Sequence, residues 1–211
     1  DTALLEQAER TNTNFKWKDI YEDLQNNKVY IDTPGLANSK INEEAFKRHG
    51  KYKIFFVILL NEDRVRPEDL TTINTVMNSI NLRYKPFNII VIENKKMPPN
   101  KQSQIIDQLN SISNKTENIY FMSSYNISHN IYKDFFSFFD TSKTVEIHPK
   151  NIREAKSSKE YWVFIGNPGV GKSTIINALV GKTVAKVGLS AGHGLTDDFI
   201  IYEDCENNRV Y

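Results

Sequence analysis

The chain has 211 residues, a formal net charge of +1, 39% hydrophobic residues and 25% charged residues. These values are ordinary for a globular protein and argue against a general nucleic-acid or membrane-binding surface. The single cysteine, Cys205, excludes an internal disulfide framework, and the longest apolar run, Ile54 to Leu60, is too short to cross a bilayer. We therefore expect a cytoplasmic α/β protein with no nucleic-acid partner and no transmembrane segment.

Strand-like and helix-like stretches alternate along the chain. Residues 15–31 are typical of a hairpin that leads into Asp32. Further strands are predicted at 52–60, 87–93, 118–122, 161–165 and 199–204. Helices are predicted at 1–10, 42–49, 67–80, 100–112, 131–139 and 174–180, the last of them ended by Gly181. This alternation predicts a mostly parallel sheet with helices on both faces.

Two stretches connect or cover these elements. The polar residues 144–160 are predicted to be a linker. The helix at 131–139 carries an aromatic stripe that we expect to pack on the sheet, with any exposed members marking an interface. The stripe consists of Tyr132, Phe135, Phe136, Phe138 and Phe139.

A phosphate-binding motif follows the predicted strand 161–165. Residues 166–173 fit the pattern GxxxxGK[ST], with an apolar strand before them and a helical pattern after them. The glycines let backbone N–H groups surround a phosphate chain, Lys172 can reach the β- and γ-phosphates, and Ser173 can ligate Mg²⁺. The predicted nucleotide-binding residues are Asn167, Gly169, Val170, Gly171, Lys172, Ser173 and Thr174.

An internal repeat changes the expected organisation. Residues 21–30 (YEDLQNNKVY) and 202–211 (YEDCENNRVY) are identical at seven of ten positions, about one domain length apart. We interpret this repeat as a trace of tandem homologous domains, and the chain as a fragment of a longer protein. Because both copies suit the same edge strand, the second must fray, extend the sheet or pair with a neighbouring molecule. We expect its tail, 206–211, to be loosely held.

A second motif carries a resemblance to a known class of proteins. Asp32-Thr33-Pro34-Gly35 resembles the DxxG motif of the translation-factor-like class of P-loop GTPases. With Leu36 and the phosphate loop, the chain is similar to septins, immunity-associated GTPases, TrmE/Era-like proteins and G-domain proteins of fungi and oomycetes. In that class, however, the phosphate loop precedes DxxG, whereas in this chain DxxG comes first and the phosphate loop follows it. A window across two tandem domains and a circular permutant would both give this order.

The resemblance implies a three-layer α/β/α Ras-like G domain. Its sheet would be mostly parallel with one antiparallel edge strand, and its motifs would be in circularly permuted order. Residues 1–143 would supply the C-terminal part of a G domain, 144–160 the linker, and 161–211 the N-terminal part. Together, the two parts would complete one permuted G domain.

The resemblance also assigns roles to individual residues. Asp32, Ser173 and Thr196 would hold Mg²⁺, while Lys172, Thr196 and the Gly35 amide would act on the γ-phosphate. Asn94, Lys95, Ser123 and Ser124 would contact the base. Thr196 has an alternative reading as a helix-capping or plain loop threonine, with Thr33 and Asp198 as less favoured substitutes, and His193 is read as a solvated loop residue.

Two departures from the pattern affect the expected chemistry. Leu36 stands where many GTPases carry a water-orienting glutamine, so hydrolysis should be slow. Met97 stands where the guanine-reading aspartate should be, and a thioether cannot pair with guanine N–H groups. The selectivity for guanine over adenine is therefore left open. The adjacent Glu93 should point away from the base.

The sequence therefore supports two functions. The first is a GTP-binding switch that slowly hydrolyses GTP to GDP and phosphate with Mg²⁺. The second is a septin-like or immunity-GTPase-like assembly scaffold that retains nucleotide with negligible turnover. Either would pair through the switch face, as a homodimer or with a tandem domain. An ATPase is a third, weaker interpretation.

Overall fold

The computed structural model describes residues 19–23, 27–33, 45–79, 82, 84–93, 97–123, 129–148, 158–185 and 200–203. The strands are β1 (Asp19–Asp23), β2 (Lys28–Asp32), β3 (Gly50–Leu59), β4 (Asn88–Glu93), β5 (Ile119–Ser123), β6 (Val145–Ile147), β7 (Glu160–Ile165) and β8 (Ile200–Glu203). The helices are α1 (Pro67–Ser79), α2 (Pro99–Leu109), α3 (His129–Thr141) and α4 (Lys172–Val180). The predicted helix at 1–10, and residues 42–44 of the one predicted at 42–49, lie outside these residues.

The eight strands of the described residues form one sheet. The order is β5-β4-β3-β7-β2-β1-β8, and β6 pairs with β3 beside this path. Strands β5, β4, β3, β7 and β2 are parallel to their neighbours in that order, whereas β1 is antiparallel to β2. The strand before the phosphate loop therefore lies between β3 and β2, although β2 and β7 are more than 120 residues apart in the chain.

Helices cover both faces of this sheet. On one face, α1 and α2 contribute Ile73, Met77 and Ile105 to a core with alternate side chains of β3 and β4. On the other face, α3 and α4 contribute Phe135 and Ile176 to a second core. The expected three-layer α/β/α fold with a mostly parallel sheet is confirmed.

The aromatic stripe of α3 packs on the sheet as predicted. Phe135 and Phe139 are buried, and Phe136 and Phe138 are partly buried against the same core. The Phe139 ring stacks on Trp162 of β7 with centroids 5.6 Å apart. The side chain of Tyr132 lies outside the described set.

A buried cation fixes the carboxyl end of α3 to the sheet. The Lys53 ammonium on β3 donates to the Phe139 and Asp140 carbonyl oxygens at 2.8 and 3.0 Å, and it lies 3.4 Å from the Glu160 carboxylate. The last carbonyl groups of a helix have no partner within the helix and attract positive charge. Lys53 therefore stabilises α3 on the sheet, although its own side chain is buried.

The predicted linker 144–160 contains a strand, which corrects the interpretation of that segment. β6 pairs antiparallel with the first residues of β3, on the side where β4 has not yet begun. The buried Asn88 side chain closes this junction, since it donates to the Ile54 and Lys143 carbonyl oxygens and accepts from the Lys143 N–H. The segment as a whole is polar and only three of its residues form the strand, so the sequence pattern did not predict it.

The two copies of the repeat lie side by side. β1 pairs with β2 as the predicted hairpin does, and β8 pairs parallel to β1 with Ile20 opposite Ile201 and Tyr21 opposite Tyr202. Of the three possibilities for the second copy, the structure shows the extension of the sheet, since β8 pairs with β1. Its tail, 206–211, is not among the described residues.

Candidate functional site

Four of the five parallel strands end at or just before candidate residues, at one edge of the sheet. β7 ends at Ile165 before the phosphate loop, β2 ends at Asp32, β4 at Glu93 and β5 at Ser123. Ligands of open parallel sheets bind at this edge. The sheet order therefore brings DxxG and phosphate-loop residues together, although they are far apart in sequence.

Glycines shape the phosphate loop in two ways. Gly171 has a φ of 99°, in the left-handed region that glycine adopts without strain. At Gly166 the constraint is space, because a Cβ atom would lie 2.4 Å from the Val57 carbonyl oxygen of β3. The buried Val170 side chain anchors the middle of the loop in the core shared with α3 and α4.

Lys172 begins α4 and lies folded into the loop. Its side chain is buried, and Nζ donates to the carbonyl oxygens of Gly166 at 3.0 Å and Asn167 at 3.3 Å. An ammonium group at this position is of the kind that binds phosphate oxygens in a phosphate loop. Gly181 ends α4 in the left-handed conformation with φ of 75°, which confirms the predicted cap.

Asp32 and Ser173 meet at the centre of the site. The Ser173 hydroxyl donates to Oδ2 of Asp32 at 2.5 Å, across 141 residues of sequence. Burial raises the pKa of the Asp32 carboxyl above its ordinary value, although the nearby Lys172 ammonium and the Ser173 hydroxyl both act to lower it. A cation bound beside Asp32 would therefore stabilise the charged form of this buried carboxyl group.

The donor set at Asp32 and Ser173 fits a magnesium ion. Oδ1 of Asp32 is buried and accepts no hydrogen bond from any described residue. A carboxylate and a hydroxyl are oxygen ligands of the kind that Mg²⁺ takes beside a nucleotide phosphate. An ion at this position would also satisfy the unpaired oxygen.

Asp69 and Arg66 hold the phosphate loop, and sequence reasoning missed both. The Asn167 amide donates to Oδ1 of Asp69 at 2.6 Å, while the Arg66 guanidinium contacts both carboxylate oxygens at 3.1 and 3.2 Å. Asp69 is buried in the first turn of α1. An acidic residue in a first turn is common and carries no signal by itself. The predicted ligand Asn167 therefore has a structural partner here.

The base-reading segment is described only in part. Met97 is buried in the core beside Ile105 and Leu109, and its N–H donates to the Glu93 carboxylate at 3.1 Å. The position that would carry a base-reading aspartate thus contributes to packing. Ser123 ends β5 opposite Glu93, while Asn94, Lys95 and Ser124 lie outside the described residues.

Several further predicted residues are also outside the described part of the chain. These are Gly35, Leu36, His193, Thr196 and Asp198. Thr33 is described, and its hydroxyl donates to the Phe164 carbonyl oxygen at 2.8 Å. This hydrogen bond fastens the end of β2 to β7, which argues against Thr33 as a substitute for Thr196.

Comparison with known proteins adds one match. Residues 161–210 match the family model described as 50S ribosome-binding GTPase. No curated protein and no solved structure matches the chain. In the described residues, none of the helices combines the length and apolar character needed to cross a membrane. The family match supports a P-loop GTPase G domain and, through it, binding of a guanine nucleotide.

Proposed function

We propose that this chain binds a guanine nucleotide and Mg²⁺ in one site built from both parts of the sequence, and hydrolyses GTP slowly. The observation that carries the proposal is the contact between the Ser173 hydroxyl of the phosphate loop and the Asp32 carboxylate of DxxG. The parallel pairing of β2 with β7 holds these two residues together. In this proposal, residues 1–143 and 161–211 supply complementary parts of a circularly permuted G domain, joined through 144–160.

The phosphate loop carries most of the binding chemistry. Lys172 exchanges the Gly166 and Asn167 carbonyl oxygens for β- and γ-phosphate oxygens. Ser173 and Asp32 hold Mg²⁺, which when bound neutralises charge on the phosphate chain. Loop N–H groups of Gly169 and Gly171, at the start of α4, complete an anion-binding concavity.

The switch residues follow the resemblance to the GTPase class. Thr196 completes the magnesium shell, and the Gly35 amide contacts the γ-phosphate. Leu36 offers no group to orient water, so the attack of water on the γ-phosphate proceeds slowly. Loops that depend on the γ-phosphate for order make such a protein a switch.

Base recognition is weaker than in the usual pattern. Asn94, Lys95, Ser123 and Ser124 remain the proposed base contacts. Because Met97 is buried in the core, it does not replace a carboxylate at the base. We therefore expect selectivity for guanine over adenine to be lower than in a site where an aspartate contacts the base through both carboxylate oxygens.

The repeat favours a second function, that of a nucleotide-dependent assembly scaffold. β1 and β8 hold equivalent positions of the repeat and pair in register, which is consistent with tandem domains in a parent protein. Such a domain would retain nucleotide and pair through its switch face with a second copy or a tandem domain. Turnover per chain that rises with protein concentration would favour a dimer-activated GTPase, whereas constant turnover near zero would favour the scaffold.

A nucleotide titration tests the one-site proposal. Fluorescent GDP is titrated with Mg²⁺ present and then displaced by GTP or ATP, in the parent chain and in Lys172→Ala. We expect tight binding, preferential displacement by GTP, and a loss of affinity of at least about 100-fold in Lys172→Ala because a charge-assisted phosphate contact is lost.

Lys101→Ala provides the matched control, since Lys101 is an exposed lysine of α2 paired with Asp63 and is not one of the proposed binding residues. Its affinity should equal that of the parent chain. Circular dichroism establishes that each variant is folded. Equal displacement by GTP and ATP would remove base selectivity from the proposal, and absence of binding in the folded parent chain would contradict it.

A further inference from the structure

Three side chains of the types that can ligate a metal ion lie together at the edge of the sheet opposite the phosphate loop. His49 precedes β3 and His148 follows β6, while Glu146 is the middle residue of β6. β3 runs parallel to β7, so the start of β3 is at the amino-terminal edge, and the phosphate loop is at the carboxyl-terminal edge. This cluster is therefore separate from the nucleotide site.

The three side chains converge closely. One potential ligand atom from each of His49, Glu146 and His148 lies within 4.8 Å of the others. Nε2 of His49 and Nδ1 of His148 are 2.6 Å apart, and the two rings meet edge to face with centroids 4.4 Å apart. His49 is half-buried and the other two residues are exposed, so an ion can enter from solvent.

The β3–β6 ladder fixes this arrangement. Gly50 pairs with Ile147, which places His49 and His148 across from each other just beyond the ladder. Gly50 has to be a small residue, because a Cβ atom would lie 2.9 Å from the Tyr161 ring. The buried side chains of Tyr52 and Val145 anchor the two strands. The backbone that carries the ligands is thus held in place without a metal.

The donor set selects a class of ion. Two imidazoles and one carboxylate match Zn²⁺ and neighbouring divalent transition metals, with a fourth position left for water. Mg²⁺ and Ca²⁺ prefer oxygen ligands and suit this set poorly. Lys51 pairs with Glu146 in the ladder, and its positive charge would oppose a cation bound there.

We propose that His49, Glu146 and His148 form a binding site for a divalent transition-metal ion such as Zn²⁺. The ion joins the start of the central strand β3 to β6, the strand that leads into the segment before β7. Binding therefore fastens the junction between the two parts of the chain. The proposal does not depend on nucleotide binding, since no residue is shared with the site at Asp32 and Ser173.

A cobalt titration tests the site directly. The whole chain, purified without a histidine tag and treated with chelator, is titrated with Co²⁺ in excess Mg²⁺ and without nucleotide. We expect visible absorption bands that saturate at one Co²⁺ per chain and disappear when Zn²⁺ is added. Zn²⁺ should also raise the melting temperature of the parent chain.

Variants identify the ligands. His49→Ala and His148→Ala should each weaken Co²⁺ binding more than about tenfold, Glu146→Gln should weaken it less, and Lys51→Gln should strengthen it. His129→Ala is the matched control and should bind like the parent chain. Because the two histidines are at least partly exposed, we expect these variants to fold, which the melting temperature without metal verifies. Absence of the bands, or equal binding by His148→Ala and the parent chain, would mean that the histidines form only a hydrogen bond.

Discussion

Asp32 is a buried acid whose proposed role requires its charge. Its carboxyl has one hydrogen bond, from Ser173, and one buried oxygen that accepts no hydrogen bond from a described residue. Burial therefore raises its pKa, and the nearby Lys172 ammonium does not fully compensate. A bound cation would supply the missing stabilisation of the carboxylate. In the proposed site, burial of the Asp32 carboxylate would lower the stability of the ligand-free chain and favour binding of a cation.

The raised pKa of Asp32 predicts that the free energy of unfolding depends on pH. The native state keeps the Asp32 proton to a higher pH than the unfolded chain, whose pKa is near the ordinary 3.8. The native state thus binds more protons between these two pKa values, so the free energy of unfolding decreases as pH rises through that interval. Urea unfolding of the parent chain and Asp32→Asn over a pH series should show this component only in the parent chain.

The same variant separates stability from binding. Asp32→Asn should weaken Mg²⁺-dependent nucleotide binding, because the amide cannot serve the ion as a carboxylate does. Glu68→Gln, an exposed acid in the first turn of α1, provides the control and should leave both properties close to those of the parent chain. Identical pH profiles for the parent chain and Asp32→Asn would show that the Asp32 proton is not retained.

At the scale of elements, the phosphate loop is held against its neighbours from two sides. Gly166 lies against the Val57 carbonyl of β3, and Asn167 is bound to Asp69 of α1. The loop therefore has a defined shape in the absence of a ligand. Preorganised groups lose less entropy when a ligand binds.

Two glycine substitutions test how this shape is set. Gly166→Ala should destabilise the fold by about 3 kcal/mol, because its Cβ would collide with the Val57 carbonyl and push β7 from β3. Gly169→Ala should cost about 1 kcal/mol, since space is open around it and only its positive φ of 76° opposes a side chain. Urea unfolding compares the two variants. An equal or larger loss in Gly169→Ala would contradict the argument from close approach.

At the scale of the whole molecule, either copy of the repeat could pair with β2, and the separation along the chain favours the first copy. Both copies suit the strand next to β2, but β1 ends only a few residues before β2 begins, whereas β8 is far away in sequence. Closing a short loop costs less entropy than closing a long one. The first copy therefore takes the inner position, and β8 pairs with the outer side of β1.

Proline substitutions at equivalent positions of the repeat test this arrangement. Ile20 in β1 has strands on both sides, so Ile20→Pro removes a ladder hydrogen bond and should lower the free energy of unfolding by about 2–3 kcal/mol. Ile201 in β8 has one described neighbour, so Ile201→Pro should cost about 1 kcal/mol or less. Thermal and urea unfolding measure both. A larger loss for Ile201→Pro would place the second copy inside the sheet instead.

The sequence by itself determined the features that depend on neighbouring residues. The GxxxxGK[ST] spacing predicted the phosphate loop, Gly181 predicted the end of α4, and the apolar runs predicted the central strands. These features follow from backbone sterics and periodicity, which are local. The three-residue strand β6 was missed because three residues are too few to show a periodic pattern.

Only the tertiary structure decided which distant residues meet. The order of strands in a sheet is set by long-range pairing, so the contact between Asp32 and Ser173, the hold of Asp69 on Asn167, and the approach of His49 to His148 have no local signal. Burial is likewise a property of the assembled core. It made a packing residue of Met97, which stands where the sequence pattern would have a guanine-reading aspartate, and it raised the pKa of Asp32, which the sequence predicted only as a magnesium ligand.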